Sequence, residues 1–151
     1  MIEKINSAIR LQELFYSNLY LISYYRSLLN KNMSFIAVDD IQELIAQKHE
    51  FCDLIRDKLS HYNKSGVYVN ISKNNYLNNL ENEFKSIDFK NILTHLVAVE
   101  KKHINVYVAA MATMNSNGLI FKDLIGNIKL MKVNTDLLSD KLINPRGLKI
   151  A

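Results

Sequence analysis

The sequence predicts an all-α protein: a single domain over residues 1–151 built as an up-and-down four-helix bundle. Two observations carry this. Apolar residues recur at alternating spacings of three and four along four long segments, and one Pro and four Gly leave few breakers to interrupt them. A balance of 48% hydrophobic and 23% charged residues adds the expectation of an ordinary globular core. An elongated helical hairpin with additional helices is the architectural alternative.

Each element has its own signal. Over 4–30, Ala8, Leu11, Phe15, Asn18, Ile22, Tyr25 and Leu29 form one broad face of a first helix. Asp40-Ile-Gln-Glu43 reads as a capping box that opens a second helix over 40–62, with Ile41, Ile45, Lys48, Cys52, Ile55 and Leu59 on one stripe. These two helices should form an antiparallel hairpin. Residues 63–75 are a linker in which Val67, Val69 and Ile71 alternate briefly, and a short helix follows over about 75–86. Asp88 is then expected to cap a long helix over 88–114, and Asn115-Ser-Asn-Gly118 to turn the chain. A last helix over 118–143 should stop before Asn144-Pro145-Arg146-Gly147.

Rotating each residue by about 100° brings Glu100 and His103 onto the apolar side of the long helix, while Lys101, Lys102 and Asn105 fall opposite. The same construction centres Lys48, Asn18 and Thr135 on the apolar stripes of the other three helices. Asn18, Lys48, Glu100, His103 and Thr135 are therefore expected to form one buried polar layer. A lone buried carboxylate would neutralise, so Glu100 needs a cation or a donor, and Lys48 is the best candidate.

Glu-x-x-His is also the spacing that di-iron carboxylate bundles use on two helices, with a carboxylate from each of the others. It occurs once here, and asparagine, lysine and threonine stand where further acidic ligands would be needed. No metal ligand, cofactor or catalytic residue is assigned. His49, Asp53 and Asp57 share a helical spacing but turn away from the core stripe, so they read as a solvated face. Cys52 lies on the core stripe, where cysteine behaves as a small hydrophobe, and a single cysteine makes no internal disulfide.

That cysteine count and the absence of a leader pattern point to the cytoplasm. The longest apolar stretch, Ile104 to Met114, falls short of the roughly 20 residues of a membrane span. Residues 1–62 carry 7 basic and 8 acidic side chains, and residues 63–151 carry 12 and 7. The basic half lacks the Lys/Arg runs and stacked aromatics of nucleic-acid modules, which sets a nucleic-acid partner aside.

Between Ile104 and Leu119 the helix is apolar almost all round. Either that end of the bundle is deeply enclosed, or it is a groove or self-association surface. The candidate partner-binding residues are Ile104, Tyr107, Val108, Met111, Met114, Leu119, Phe121 and Leu124. The expected function is a non-enzymatic bundle protein that binds a partner's amphipathic helix, and a ferritin-like metal protein or oxidase with an incomplete ligand set is the runner-up.

The segment Asp39-Asp-Ile-Gln-Glu-Leu-Ile-Ala-Gln-Lys-His-Glu-Phe-Cys-Asp-Leu-Ile55, with a lysine amid leucine-like positions after a long first helix, resembles the second helix of flagellar and type III export chaperones of the FlgN and FliT type. The loop, short helix and long helix that follow resemble them as well, over about residues 1–114. The resemblance implies a cytoplasmic chaperone that binds the helical C-terminal segment of an export substrate. No site residue is carried over from it.

Overall fold

The computed structural model describes residues 2–31 and 35–143, and over them the chain forms five helices and no strand. These are α1 (Ile2–Leu29), α2 (Phe35–Lys64), α3 (Lys73–Lys85), α4 (Ile92–Met111) and α5 (Leu119–Ile143). The stop expected at Asn144-Pro145-Arg146-Gly147 lies outside the described residues.

The four long helices close a ring in the order α1, α2, α5, α4, which leaves α2 and α4 on one diagonal and α1 and α5 on the other. Cross-helix pairs give the directions. Arg26 reaches His49 while Arg56 lies over the Phe15 ring, so α1 and α2 are antiparallel. Tyr24 meets His95 at one end of α1 while Asn6 bonds Thr113 at the other, so α4 is antiparallel to α1. Asp40 pairs with Lys141 and Lys58 with Asp123, so α5 is antiparallel to α2.

These directions correct the expected connection scheme. In a strict up-and-down bundle the second and third long helices are antiparallel neighbours. Here α2 and α4 are parallel and diagonal, so the chain must climb the full height of the bundle between them. The climb is made by α3, a fifth helix lying along α1 with Phe84 beside Tyr20 at 5.6 Å between ring centroids. The result is a bundle with one long crossover. The linker before α3 is extended without a strand partner. Instead, the Gln12 side chain accepts from the Ile71 amide at 2.7 Å and donates to the Val69 carbonyl at 3.4 Å, taking both backbone positions that a neighbouring strand would use.

Two helix starts also differ from the sequence expectation. Asp40 sits inside α2 rather than at its cap, because its carboxylate serves Lys141 of α5 at 2.5 Å. Asn91, not Asp88, caps α4: its backbone is extended (φ −143°, ψ 158°) and its side-chain oxygen accepts from the Thr94 amide at 2.9 Å.

The apolar interior is two clusters rather than one. The upper cluster holds Leu21, Leu28, Ile41, Leu44, Leu96 and Leu138 with Phe84 of α3. The lower holds Leu11, Leu14, Phe51, Ile55, Leu124 and Met131. Buried polar side chains lie at the level between them.

The cap assignment is testable by denaturant melts. Asn91→Ala is expected to cost about 1 kcal/mol, the usual value for a lost N-cap. Asp88→Ala should stay within about 0.5 kcal/mol of the parent.

Candidate functional site

The layer between the two clusters is built around an ion pair. Lys48 Nζ lies 2.8 Å from Glu100 Oε1, and both side chains are fully buried. These residues come from the diagonal helices, so the long lysine stem is what spans the interior. Tyr25 of α1 donates its hydroxyl to Glu100 Oε2 at 2.5 Å, so both carboxylate oxygens are occupied. The ammonium also donates to Gln47 Oε1 at 3.3 Å and stands 5.4 Å from the centre of the Phe51 ring. Burial pulls the Lys48 ammonium down from its ordinary value, with Glu100 opposing that pull, and burial together with the Glu100 charge pushes the Tyr25 phenol well up.

His103 is turned the other way. Ser17 donates to the Leu14 carbonyl at 2.8 Å, so its oxygen is left to accept from His103 Nε2–H at 3.0 Å. The network thereby assigns the neutral tautomer, with Nδ1 bare and unpartnered. Burial holds this imidazole far below its usual value, and the Lys48 charge lowers it further. Asn18 donates to Leu14 O and to the Tyr107 hydroxyl, each at 2.9 Å, and Asn127 of α5 donates to the same hydroxyl at 3.1 Å.

All five residues predicted for the layer are buried, and the structure links Lys48 directly to Glu100. His103 bonds Ser17 and Asn18 bonds Tyr107, separately from that pair. Thr135 donates its hydroxyl to the Met131 carbonyl of its own helix at 2.7 Å, so its hydrogen bond is satisfied locally. Sequence reasoning missed Tyr25, Ser17 and Asn127. Tyr25 counts as apolar in a periodicity scan, and only its distance of seven residues from Asn18 on one face signalled that its hydroxyl would reach the same level.

Chemically the layer is a sealed lock. Glu100 and His103 share a helix face yet aim at different partners, and the ammonium occupies the position beside the carboxylate that a cation would need. Among the described residues no three His, Cys, Asp or Glu side chains gather. Burial pushes the Cys52 thiol up to about 11, which keeps it protonated and a poor nucleophile. His49 bonds Arg26, while Asp53 and Asp57 stay on the exposed side of α2.

The predicted partner surface divides. Tyr107, Met111 and Leu124 are in the core and unavailable to a partner, a correction to the expectation for that stretch. Ile104 is half-buried against the lower cluster. On α4 only Val108, 53% exposed, remains as a large open hydrophobe, because α1 and α5 pack along the helix on two sides. Met114, Leu119 and Phe121 instead line an open groove of about 560 Å³ at the end of the bundle where α1 starts, α2 ends and α4 turns into α5. Tyr62 completes its apolar wall, and Lys4, Asp57, Lys58 and His61 stand among its polar lining. The corner is tight: a Cβ on Gly118 would lie 3.2 Å from the Asn115 carbonyl oxygen.

No family model, curated protein or solved structure matches the chain. Among the described residues no helix is long and apolar enough to cross a membrane.

Two predictions follow from the layer. Lys48→Met and Glu100→Leu should each cost about 3–5 kcal/mol, because each strands a buried charge, while the double variant recovers most of the loss. Adding Tyr25→Phe to the double should recover about 1 kcal/mol more, since the phenol would otherwise lack its acceptor. Denaturant melts of the set decide this, and additive losses would show that the charges do not couple.

The second concerns pH. A histidine whose folded value is depressed stays neutral in the fold while the unfolded chain takes up a proton near pH 6.5. Its contribution is therefore present above about pH 6.5 and lost as pH falls below it. His103 and His95, the latter also lowered by burial, share this sign. Urea midpoints should drop between about pH 7.5 and pH 5.5, and His103→Gln should lower stability overall yet flatten that dependence.

Proposed function

We propose that this chain is a non-enzymatic, cytoplasmic binding protein that takes the apolar face of a partner protein's amphipathic helix into the groove between Tyr62, Met114, Leu119 and Phe121, as an export chaperone or adaptor does. The observation that carries this reading is the groove itself. Its volume of about 560 Å³ falls within the range of built binding clefts, roughly 300–1,000 Å³. Its apolar wall meets charges of both signs, which is the surface that an amphipathic helix complements: apolar anchors inward, polar residues along the rim.

Leu119, 77% exposed, lines the groove together with Tyr62, Met114, Ile120 and Phe121, which makes it part of a contiguous apolar surface rather than a lone exposed leucine. Met114 adds an adaptable side chain that can repack against different anchors. The buried polar groups support a binding role rather than a chemical one, because each is sealed from any substrate. The resemblance to FlgN- and FliT-type chaperones points the same way.

The test uses the full chain as bait, followed by calorimetry of the recovered partner's isolated helical segment against the purified chain. Leu119→Asp, at an exposed position, should leave the melting curve nearly unchanged, whereas Phe121→Asp, at a half-buried position packed on the lower cluster, should lower it; each should weaken that binding by at least about 30-fold, the scale of a lost anchor. Val108→Glu, away from the groove, should leave it intact. Binding that survives both groove variants would overturn the assignment.

A further inference from the structure

α5 buries Leu124, Asn127, Ile128, Met131 and Leu138 against its neighbours. Its outer side should then be polar, and it is not. Leu130, Val133 and Leu137 are 51%, 55% and 55% exposed. With Gly126 they follow spacings of four, three and four, which at about 100° per residue confines them to one narrow ridge along the helix.

The two flanks of this ridge differ. On the side toward α2, Asp123 and Lys141 are consumed by Lys58 and Asp40. On the side away from α2 stand Lys122 and Lys129, with Lys132 further round, and then Asp136, while Asp140 lines a pocket with Asp40 and Glu43 of α2. Among the described residues none of Lys122, Lys129, Lys132 and Asp136 forms an ion pair.

We infer that this ridge is the interface of a symmetric homodimer in which α5 packs antiparallel against α5 of a second copy, with Val133 near the twofold axis. The charge order selects both the occupant and the direction. When two helices pack antiparallel, each flank meets the same flank of the other helix in reversed order. Lys129 then stands beside the partner's Asp136, and symmetry repeats the pair. Parallel packing would instead set this flank against the partner's other flank, where Asp123 and Lys141 are already paired with Lys58 and Asp40. Leu130 meets the partner's Leu137 on either side of the axis, so the apolar stripe is covered along its length.

Gly126 fits the same arrangement. A glycine inside a helix is destabilising relative to alanine, and nothing in the chain lies within 4 Å of where its Cβ would be, so no neighbour in the single copy requires the space. A second helix approaching along this ridge does.

The inference stands apart from the end groove and is tested separately, by sedimentation equilibrium of the full chain over a wide concentration range. The expected mass rises with concentration to twice the 17.5 kDa of one chain. Val133→Asp should hold the chain at the monomer mass. Lys129→Asp and Asp136→Lys, each turning two attractive contacts into repulsive ones, should weaken the dimer by at least about tenfold, and the double exchange should restore it to within about threefold of the parent. Because all three side chains face solvent in the single copy, circular dichroism should report an unchanged fold. Leu119→Asp and Phe121→Asp in the groove should leave the dimer as it is. A parent that stays monomeric at the highest concentration, a dimer that survives Val133→Asp, or a double exchange no better than the singles would each overturn the assignment.

Discussion

The contact on which the rest of this molecule depends is the buried pair between Lys48 and Glu100. It joins the diagonal helices α2 and α4 across the centre of the bundle, where Phe51 and Tyr107 also meet edge-on. Such a pair is a poor source of net stability, since taking two charges out of water offsets most of their attraction. What it supplies is discrimination. Sliding α4 by one turn would separate the charges and strand both in the interior, a penalty that apolar repacking could not offset. The upper and lower clusters can each tolerate approximate packing, because the layer between them sets the height of α4 relative to α2. Tyr25 extends that constraint to α1, and two turns further along α4 the Tyr107 hydroxyl, held by Asn18 and Asn127, ties α4 to α1 and α5 as well.

The long crossover is the topological counterpart of this layer. With α2 and α4 parallel, a short loop between them is impossible, and the connection must travel from one end of the bundle to the other. A helix is the economical way to do so, because it satisfies its own backbone while it climbs. α3 buries Leu80 and Phe84 against the upper cluster, packs Tyr76 partly against it, and leaves most of its other side chains exposed. The Gln12 clamp on Val69 and Ile71 fixes where the climb begins, and Ser72 caps the helix through the Asn75 amide.

How much of this was legible in the sequence follows from what periodicity measures. Helical rotation placed Glu100, His103, Lys48 and Asn18 on core faces, because which side of a helix a residue occupies is a local property. It could not say that α2 and α4 are parallel, since direction is decided by how the crossover docks on α1, a contact distant in sequence. It also failed for residues of mixed character. Tyr25 and Tyr107 scored as apolar, although their hydroxyls are what tie Glu100 and Asn18 to neighbouring helices. Thr135 was placed correctly on its face, but its hydroxyl turned back to Met131, a choice that spacing does not encode. The apolar circumference of α4 drew attention to Tyr107 and Met111, whereas packing against α1 and α5 buries both and the row of exposed leucines and valine belongs to α5.

The separation between lock and surfaces has a physical logic of its own. The polar layer lies at mid-height and is closed to water, the groove opens at one end, and the α5 ridge runs along the outside. Neither surface shares a residue with the network, so either can be occupied without disturbing a buried charge. The reverse dependence does hold. The groove walls come from α2, the α4–α5 corner and the start of α5, and their mutual position is set by the same register that Lys48 and Glu100 enforce. A bundle with a purely apolar centre could slide its helices by a turn at modest cost and would present a blurred set of end grooves. Holding one register with an ion pair therefore favours a single set of surface shapes, a specificity that charges supply where hydrophobic side chains would have been at least as stable.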